Sequence, residues 1–135
     1  MDQILHGKLL AGTRQLKGCG LGLTPAGDDF IAGLLIGLDV LQKLHGLNLQ
    51  PTIEAVYRAA KGDNLFSNTF LDLARRGLLF GRMKDMLVAL TSGNRDSVHR
   101  AAEALFTVGE TSGADLTTGL FLTLEGNFAE INRPW

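Results

Sequence analysis

The residues of this chain best suited to chemistry sit in two strings of matching design. Gly27-Asp28-Asp29-Phe30-Ile31-Ala32-Gly33-Leu34 and Gly113-Ala114-Asp115-Leu116-Thr117-Thr118-Gly119-Leu120 share the pattern Gly-x-Asp-(Phe/Leu)-x-x-Gly-Leu, offset by 86 residues. Each follows a hydroxyl-bearing turn, Leu23-Thr24-Pro25-Ala26 in the first and Glu110-Thr111-Ser112 in the second. Each opens an apolar segment of helical length. A loop of Gly, Thr and Ser that runs into a helix start offers backbone N–H groups and the positive end of the helix dipole. Two such starts in one small domain can converge on one small polar ligand. Asp29 and Asp115, placed identically in the two copies, are the candidate catalytic pair. Such carboxylates can orient a ligand amide, hold a divalent cation or take a proton.

The neighbouring residues extend the candidate site. Gly22 and Gly27 permit close backbone approach or positive φ, and Pro25 stiffens the turn. Thr24 can cap the helix or donate to a ligand. Asp28 lies in the same first turn as Asp29, where a carboxylate complements the dipole or contacts a ligand. Asp28 and Asp29 are also where a divalent cation such as magnesium would be held. In the second string Thr111 and Ser112 supply two hydroxyls and Gly113 an open backbone, with N-capping by Ser112 as the plainer role.

Other chemistry-bearing residues have structural readings. Cys19 is the single cysteine, so no intramolecular disulfide forms and a reducing cytoplasm fits. Set between Gly18 and Gly20, it reads as an inert small side chain. His6, His45 and His99 lack metal-ligand spacing. Met83 and Met86 read as core filler, and Arg75-Arg76 as a solvated helix end. No Gly-x-Ser-x-Gly elbow and no Gly-Lys-Ser/Thr phosphate loop occurs.

The chain has 135 residues, 45% hydrophobic and 20% charged, with a net charge of -1. That length suits one domain, 1–135, able to bury a core without staples. The dispersed charge argues against nucleic acid or an anionic membrane surface as partner, because both require a basic field. No basic leader with an apolar run is visible, and the most apolar stretch, Phe30 to Leu38, is too short to span a bilayer.

β-branched residues are sparse and no period-two run appears, which predicts an all-α fold of six to seven helices. Glycine-rich loops lead into its two buried helices. Helices are expected over Asp2 to Lys17, with Asp2 as N-cap, and Asp28 to His45, closed by Gly46. The next runs from Pro51 to Gly62. Another ends near Arg76, capped by Ser67 or Asn68. The remaining helices span Arg82 to Leu90, Asp96 to Val108 and Ala114 to Leu124, and Ser92-Gly93-Asn94 is a turn. The Gly33-x-x-x-Gly37 spacing reads as a face for close helix packing. The tail from Gly126 to Trp135 carries few structural signals. A duplicated helical half is conceivable, although outside the two strings the halves do not match.

Three segments carry a resemblance to a known family: Gly20 to Phe30, Ser67-Asn68-Thr69-Phe70-Leu71-Asp72-Leu73-Ala74, and Thr111 to Leu120. They resemble a bacterial family that includes the AllH subunit associated with oxamate carbamoyltransferase in anaerobic allantoin use. Leu-Thr-Pro-Ala-Gly-Asp-Asp is the most specific of the matching strings, and the second motif departs from the family pattern at Glu110 and Ala114. Family members are about twice as long, so the resemblance implies that this chain is a C-terminal portion or a truncated member. It also implies a role in moving a carbamoyl group between oxamate and phosphate, as one subunit of an assembly. Ser67 joins the ligand-binding set on this ground. A small polar or anionic metabolite, other protein subunits and a possible homo-oligomer are the expected partners, with the cytoplasm as location. The alternative is a non-catalytic helical module that scaffolds a complex, its paired strings serving as caps and tight crossings.

Overall fold

The computed structural model describes residues 3–78, 81–109 and 111–126. Among these residues there are seven helices and no strands, as the sparse β-branched content predicts. They are α1 (Gln3–Leu16), α2 (Ala26–His45), α3 (Gln50–Ala60), α4 (Leu65–Arg75), α5 (Gly81–Ser92), α6 (Arg95–Phe106) and α7 (Ser112–Glu125). The proposed Asp2 cap and the tail beyond Gly126 lie outside the described residues.

Helix α2 is the axis of the molecule. Ile31, Ala32, Leu35 and Leu38 are fully buried along it, and α1, α3, α4 and α7 pack around it. Its most extensive partner is α7. Met83, Met86 and Leu105 tie α5 and α6 to the same core. Met83 and Met86 are therefore core filler, as expected.

The helix boundaries follow local chemistry. Gly46 adopts φ 62 and closes α2, donating its N–H to Gln42 O while Leu47 N–H reaches the same carbonyl. Pro51 sits at the start of α3. Asn94 caps α6 by accepting from the N–H groups of Asp96 and Ser97. The cap of α4 differs from expectation. Asn64, not Ser67 or Asn68, accepts from the Phe66 and Ser67 N–H groups. Asn68 instead spans the turn before the helix, accepting from Gly62 N–H and donating to Gly62 O.

The α2–α7 contact is a backbone-to-backbone crossing. A Cβ at Gly33 would lie 2.0 Å from Leu116 O, and one at Gly119 would lie 2.1 Å from Phe30 O. The relation is reciprocal: Gly33 faces Leu116 and Leu120, while Gly119 faces Phe30 and Leu34. Gly37 then meets Thr123, four residues further along both helices. The two helices thus run in the same direction, related by the 86-residue offset of the sequence strings. Glycine removes the side chain, so each helix admits the other's carbonyl where a Cβ would stand.

The repeat extends upstream into α1 and α6. Leu16 O accepts from Cys19 N–H, and Cys19 O accepts from Gly27 N–H. In the second copy Leu105 O accepts from Val108 N–H, and Val108 O from Gly113 N–H. A Cβ at Gly27 or Gly113 would lie 1.9 Å from Leu16 O or Leu105 O respectively. The halves therefore share helix, loop, helix and the two joining hydrogen bonds.

This crossing makes a direct prediction. Gly33→Ala or Gly119→Ala forces backbone apart and should cost about 1–3 kcal/mol or more, as overpacking does. Gly7 in α1 has nothing within 4 Å of its Cβ position, so Gly7→Ala should instead gain about 0.5–1 kcal/mol from helix propensity. Urea unfolding of the three variants measures both signs.

Candidate functional site

The reciprocal crossing brings the two hydroxyl-bearing turns together. Thr24 Oγ1 and Ser112 Oγ lie 3.4 Å apart, although 88 residues separate them in sequence. Thr24 Oγ1 also donates to Asp29 Oδ2 at 3.1 Å. Asp29 is fully buried, and its Oδ1 has no hydrogen-bond partner. Asp115 Oδ2 is likewise buried without a partner. The two strings therefore form one polar junction at the starts of α2 and α7.

Asp29 is held above its ordinary pKa of 3.8, first because burial penalises its charged form. The Ser112 and Thr24 hydroxyls pull it back down by hydrogen bonding, while the negative charges of Asp115 and Asp28 push it up. This carboxyl is thus poised to bind a proton, or to accept a positive or hydrogen-bond-donating group that relieves the repulsion.

The remaining predicted residues fall in several places. Gly27 and Gly113 present no open backbone, because their N–H groups serve Cys19 O and Val108 O and neighbouring carbonyls fill their Cβ positions. Gly22 takes φ 98 in an exposed loop with nothing within 4 Å of its Cβ position. Thr111 occupies the N-cap position of α7 but makes no side-chain capping bond. Ser112 is the first residue of α7, and its hydroxyl turns to Thr24 and Asp29 rather than capping.

Asp28 and Ser67 separate from this junction. Asp28 Oδ1 accepts from Gly18 N–H at 2.8 Å. Together with Pro25 and Ser67 it lines a cleft of about 200 Å³ between the end of α1, the start of α2, the end of α3 and the start of α4. Lys17, Asn64 and Asn68 also line this cleft, and sequence reasoning missed all three as site residues. Asn64 had a signal: an Asn directly before the apolar-periodic Leu65 is a helix-start residue.

Arg75 proves to be structural. It stacks over Tyr57 at 4.4 Å, donates to both Glu54 oxygens at 3.1 Å and pairs with Asp72. Cys19 is exposed, its thiol directed to Gln15 O. Among the described residues no group of three or more His, Cys, Asp or Glu side chains gathers to hold a metal, and none of the helices is long and apolar enough to cross a membrane.

A family model described as oxamate carbamoyltransferase subunit AllH matches residues 16–124. The chain belongs to the AllH family. The matched span opens on the Leu16 carbonyl that packs against Gly27 and runs through α7, so it contains both halves of the α2–α7 junction. The AllH match thus agrees with the resemblance carried by the motifs. No curated protein and no solved structure matches the chain.

The state of Asp29 gives a signed prediction. A carboxyl whose folded pKa is raised binds more protons when folded, so its stability contribution is greatest below 3.8 and is lost as pH rises through the folded value. Asp29→Asn removes that loss. It should be at least as stable as the parent chain at pH 7, with the difference vanishing in acid. Denaturant unfolding across pH 3 to 8 tests this.

Proposed function

We propose that this chain is the small-molecule-binding subunit or domain of a carbamoyl-transferring enzyme of the oxamate carbamoyltransferase type, with its ligand held at the α2–α7 junction. The observation that carries this reading is the pair of buried carboxylate oxygens, Asp29 Oδ1 and Asp115 Oδ2, with no partner in the protein. Buried polar atoms are ordinarily hydrogen-bonded, and perturbed carboxyls cluster at functional sites. Membership of a family described as an oxamate carbamoyltransferase subunit supports reading the reaction as transfer of a carbamoyl group between oxamate and phosphate.

In this reading the Asp29 and Asp115 oxygens accept the N–H groups of a carbamoyl moiety or hold a divalent cation. Thr24 and Ser112, whose hydroxyls contact each other and Asp29, hold that carboxyl toward the ligand. Two carboxylates with adjoining hydroxyls are hard oxygen donors, which suit magnesium when substrate and water complete its shell. Magnesium held by Asp29 and Asp115 would neutralise charge on a phosphate or carbamoyl oxygen. The α2 and α7 dipoles favour negative charge developing at the same end. Arg75 is committed to Glu54 and Asp72, and in this reading a partner subunit supplies a cation for the phosphate. The reaction belongs to allantoin use in the cytoplasm under this reading.

One observation favours the scaffolding role as well. Leu21, Leu23, Leu65 and Phe66 are 94%, 67%, 74% and 57% exposed. Asn64 Nδ2 donates to Leu23 O, which ties the motif loop to the start of α4. Apolar side chains exposed together in this way suit contact with another subunit.

Thermal melting tests the ligand reading. Carbamoyl phosphate, oxamate and phosphate are each added with and without magnesium. A ligand at about 100 times its Kd should add roughly 2.7 kcal/mol. A selective upward shift that Asp29→Asn abolishes, while the variant itself stays folded, is the expected result. No shift in the parent chain, or a shift retained in Asp29→Asn, overturns it.

A further inference from the structure

The internal repeat builds two grooves of one design, and only one of them is filled. The open groove lies between α1 and α7, floored by Phe30 and Leu34 of α2, with a volume of about 250 Å³. Leu9, Gly12 and Leu16 line it from α1, and Leu122 from α7. Among the described residues α1 packs on α2 and α3 but not on α7.

The counterpart groove follows from the repeat. Setting Leu16 on Leu105, as their matching hydrogen bonds require, puts Leu9 and Gly12 on Val98 and Ala101. Setting Gly33 on Gly119 puts Ile36 on Leu122. The second groove therefore runs between α6 and α2, and it is closed. Leu105 is 0% exposed against 37% for Leu16, and Ile36 is 3% exposed against 55% for Leu122. Val98 and Ala101 pack against the core. Helix α5 lies along α6 and sends Met83 and Met86, both fully buried, into the cluster that holds Leu105 and Ile36.

The helix that closes one groove describes what fits the other. Met83 and Met86 are apolar knobs at i and i+3, the spacing read in helix-in-groove recognition. Charge completes the description. Helix α1 carries Lys8, which lines the open groove, and Arg14, with no acidic residue between positions 3 and 17. Two copies of α1 would repel each other across this face, whereas acidic side chains would be attracted to it.

We propose that the α1–α7 groove docks an amphipathic helix of a different protein chain, with Met or Leu at i and i+3 and Asp or Glu flanking them. The inference does not rest on the ligand reading of the α2–α7 junction.

Two synthetic peptides, each held helical by a side-chain staple, test it against the full chain by fluorescence anisotropy. One has the α5 sequence, Gly81–Ser92, and the other carries Arg82→Glu and Lys84→Glu. The acidic peptide should bind saturably and about fivefold more tightly than the basic one, with the ratio shrinking as salt rises. A Cβ at Gly12 meets nothing within 4 Å, so Gly12→Leu fills the groove from within. That variant should hold or raise the melting temperature and weaken the acidic peptide about tenfold, as loss of an apolar anchor does. Leu122→Gln, at an exposed position, should weaken it in the same direction. No saturable binding, equal affinity for the two peptides, or affinity undiminished in both variants overturns the proposal. A stable dimer in analytical ultracentrifugation that Gly12→Leu dissociates also overturns it, because the groove then belongs to a second copy.

Discussion

Everything at the polar end of this molecule depends on how closely α2 and α7 approach. Leu116 O occupies the place of a side chain on Gly33, and Phe30 O occupies the same place on Gly119. Any larger residue at either position would separate the helices and, with them, Thr24 from Ser112. The helices also run in the same direction, which puts two positive dipole ends side by side. Parallel dipoles repel, and carboxylates in the first turns oppose that repulsion. Asp28 and Asp29 stand in the first turn of α2, and Asp115 in that of α7. The acidic residues of the motifs thus answer a need set by the crossing itself.

Dipole compensation does not account for how deeply Asp29 is placed. A carboxylate serving only the dipole can remain in water, where solvation costs nothing. Asp29 is fully buried, with one oxygen held by Thr24 and the other unmatched. A buried, partly satisfied carboxyl is destabilising. Near a second carboxyl it is more so. A fold under pressure for stability alone would exchange Asp29 for an apolar or neutral residue. Its presence is easier to understand if something donates to the free oxygen, and the same logic applies to Ser67 in the cleft.

The elements that could be read from sequence were those with strong local chemistry. Sparse β-branching gave the all-α class, Gly46 marked the end of α2, Pro51 the start of α3, and the matched Gly-x-Asp strings indicated two similar helix starts. The extent of the repeat was not legible, for a physical reason. Cys19 joins Gly27 across eight residues, whereas Val108 joins Gly113 across five. A fixed offset therefore loses register upstream of the motifs although the hydrogen-bonding pattern is retained. Ser67 and Asn68 are themselves good cap types, so only the fold shows that Asn64 caps α4. The separation of Asp28, at the cleft, from Asp29, at the α2–α7 junction, is not legible either, since adjacency in sequence suggests a shared site.

That separation follows from helix geometry. Consecutive residues on a helix point about 100° apart, so two neighbouring aspartates cannot both face one partner element. Asp29 turns to α7, while Asp28 turns to the loop after α1 and the cleft bordered by α3 and α4. One helical turn consequently serves both the buried α2–α7 junction and the cleft, and so does the segment before it. Thr24 bonds Asp29 on one side, and Pro25 lines the cleft on the other. The close crossing fixes α2 against α7, so the two aspartates keep these separate directions.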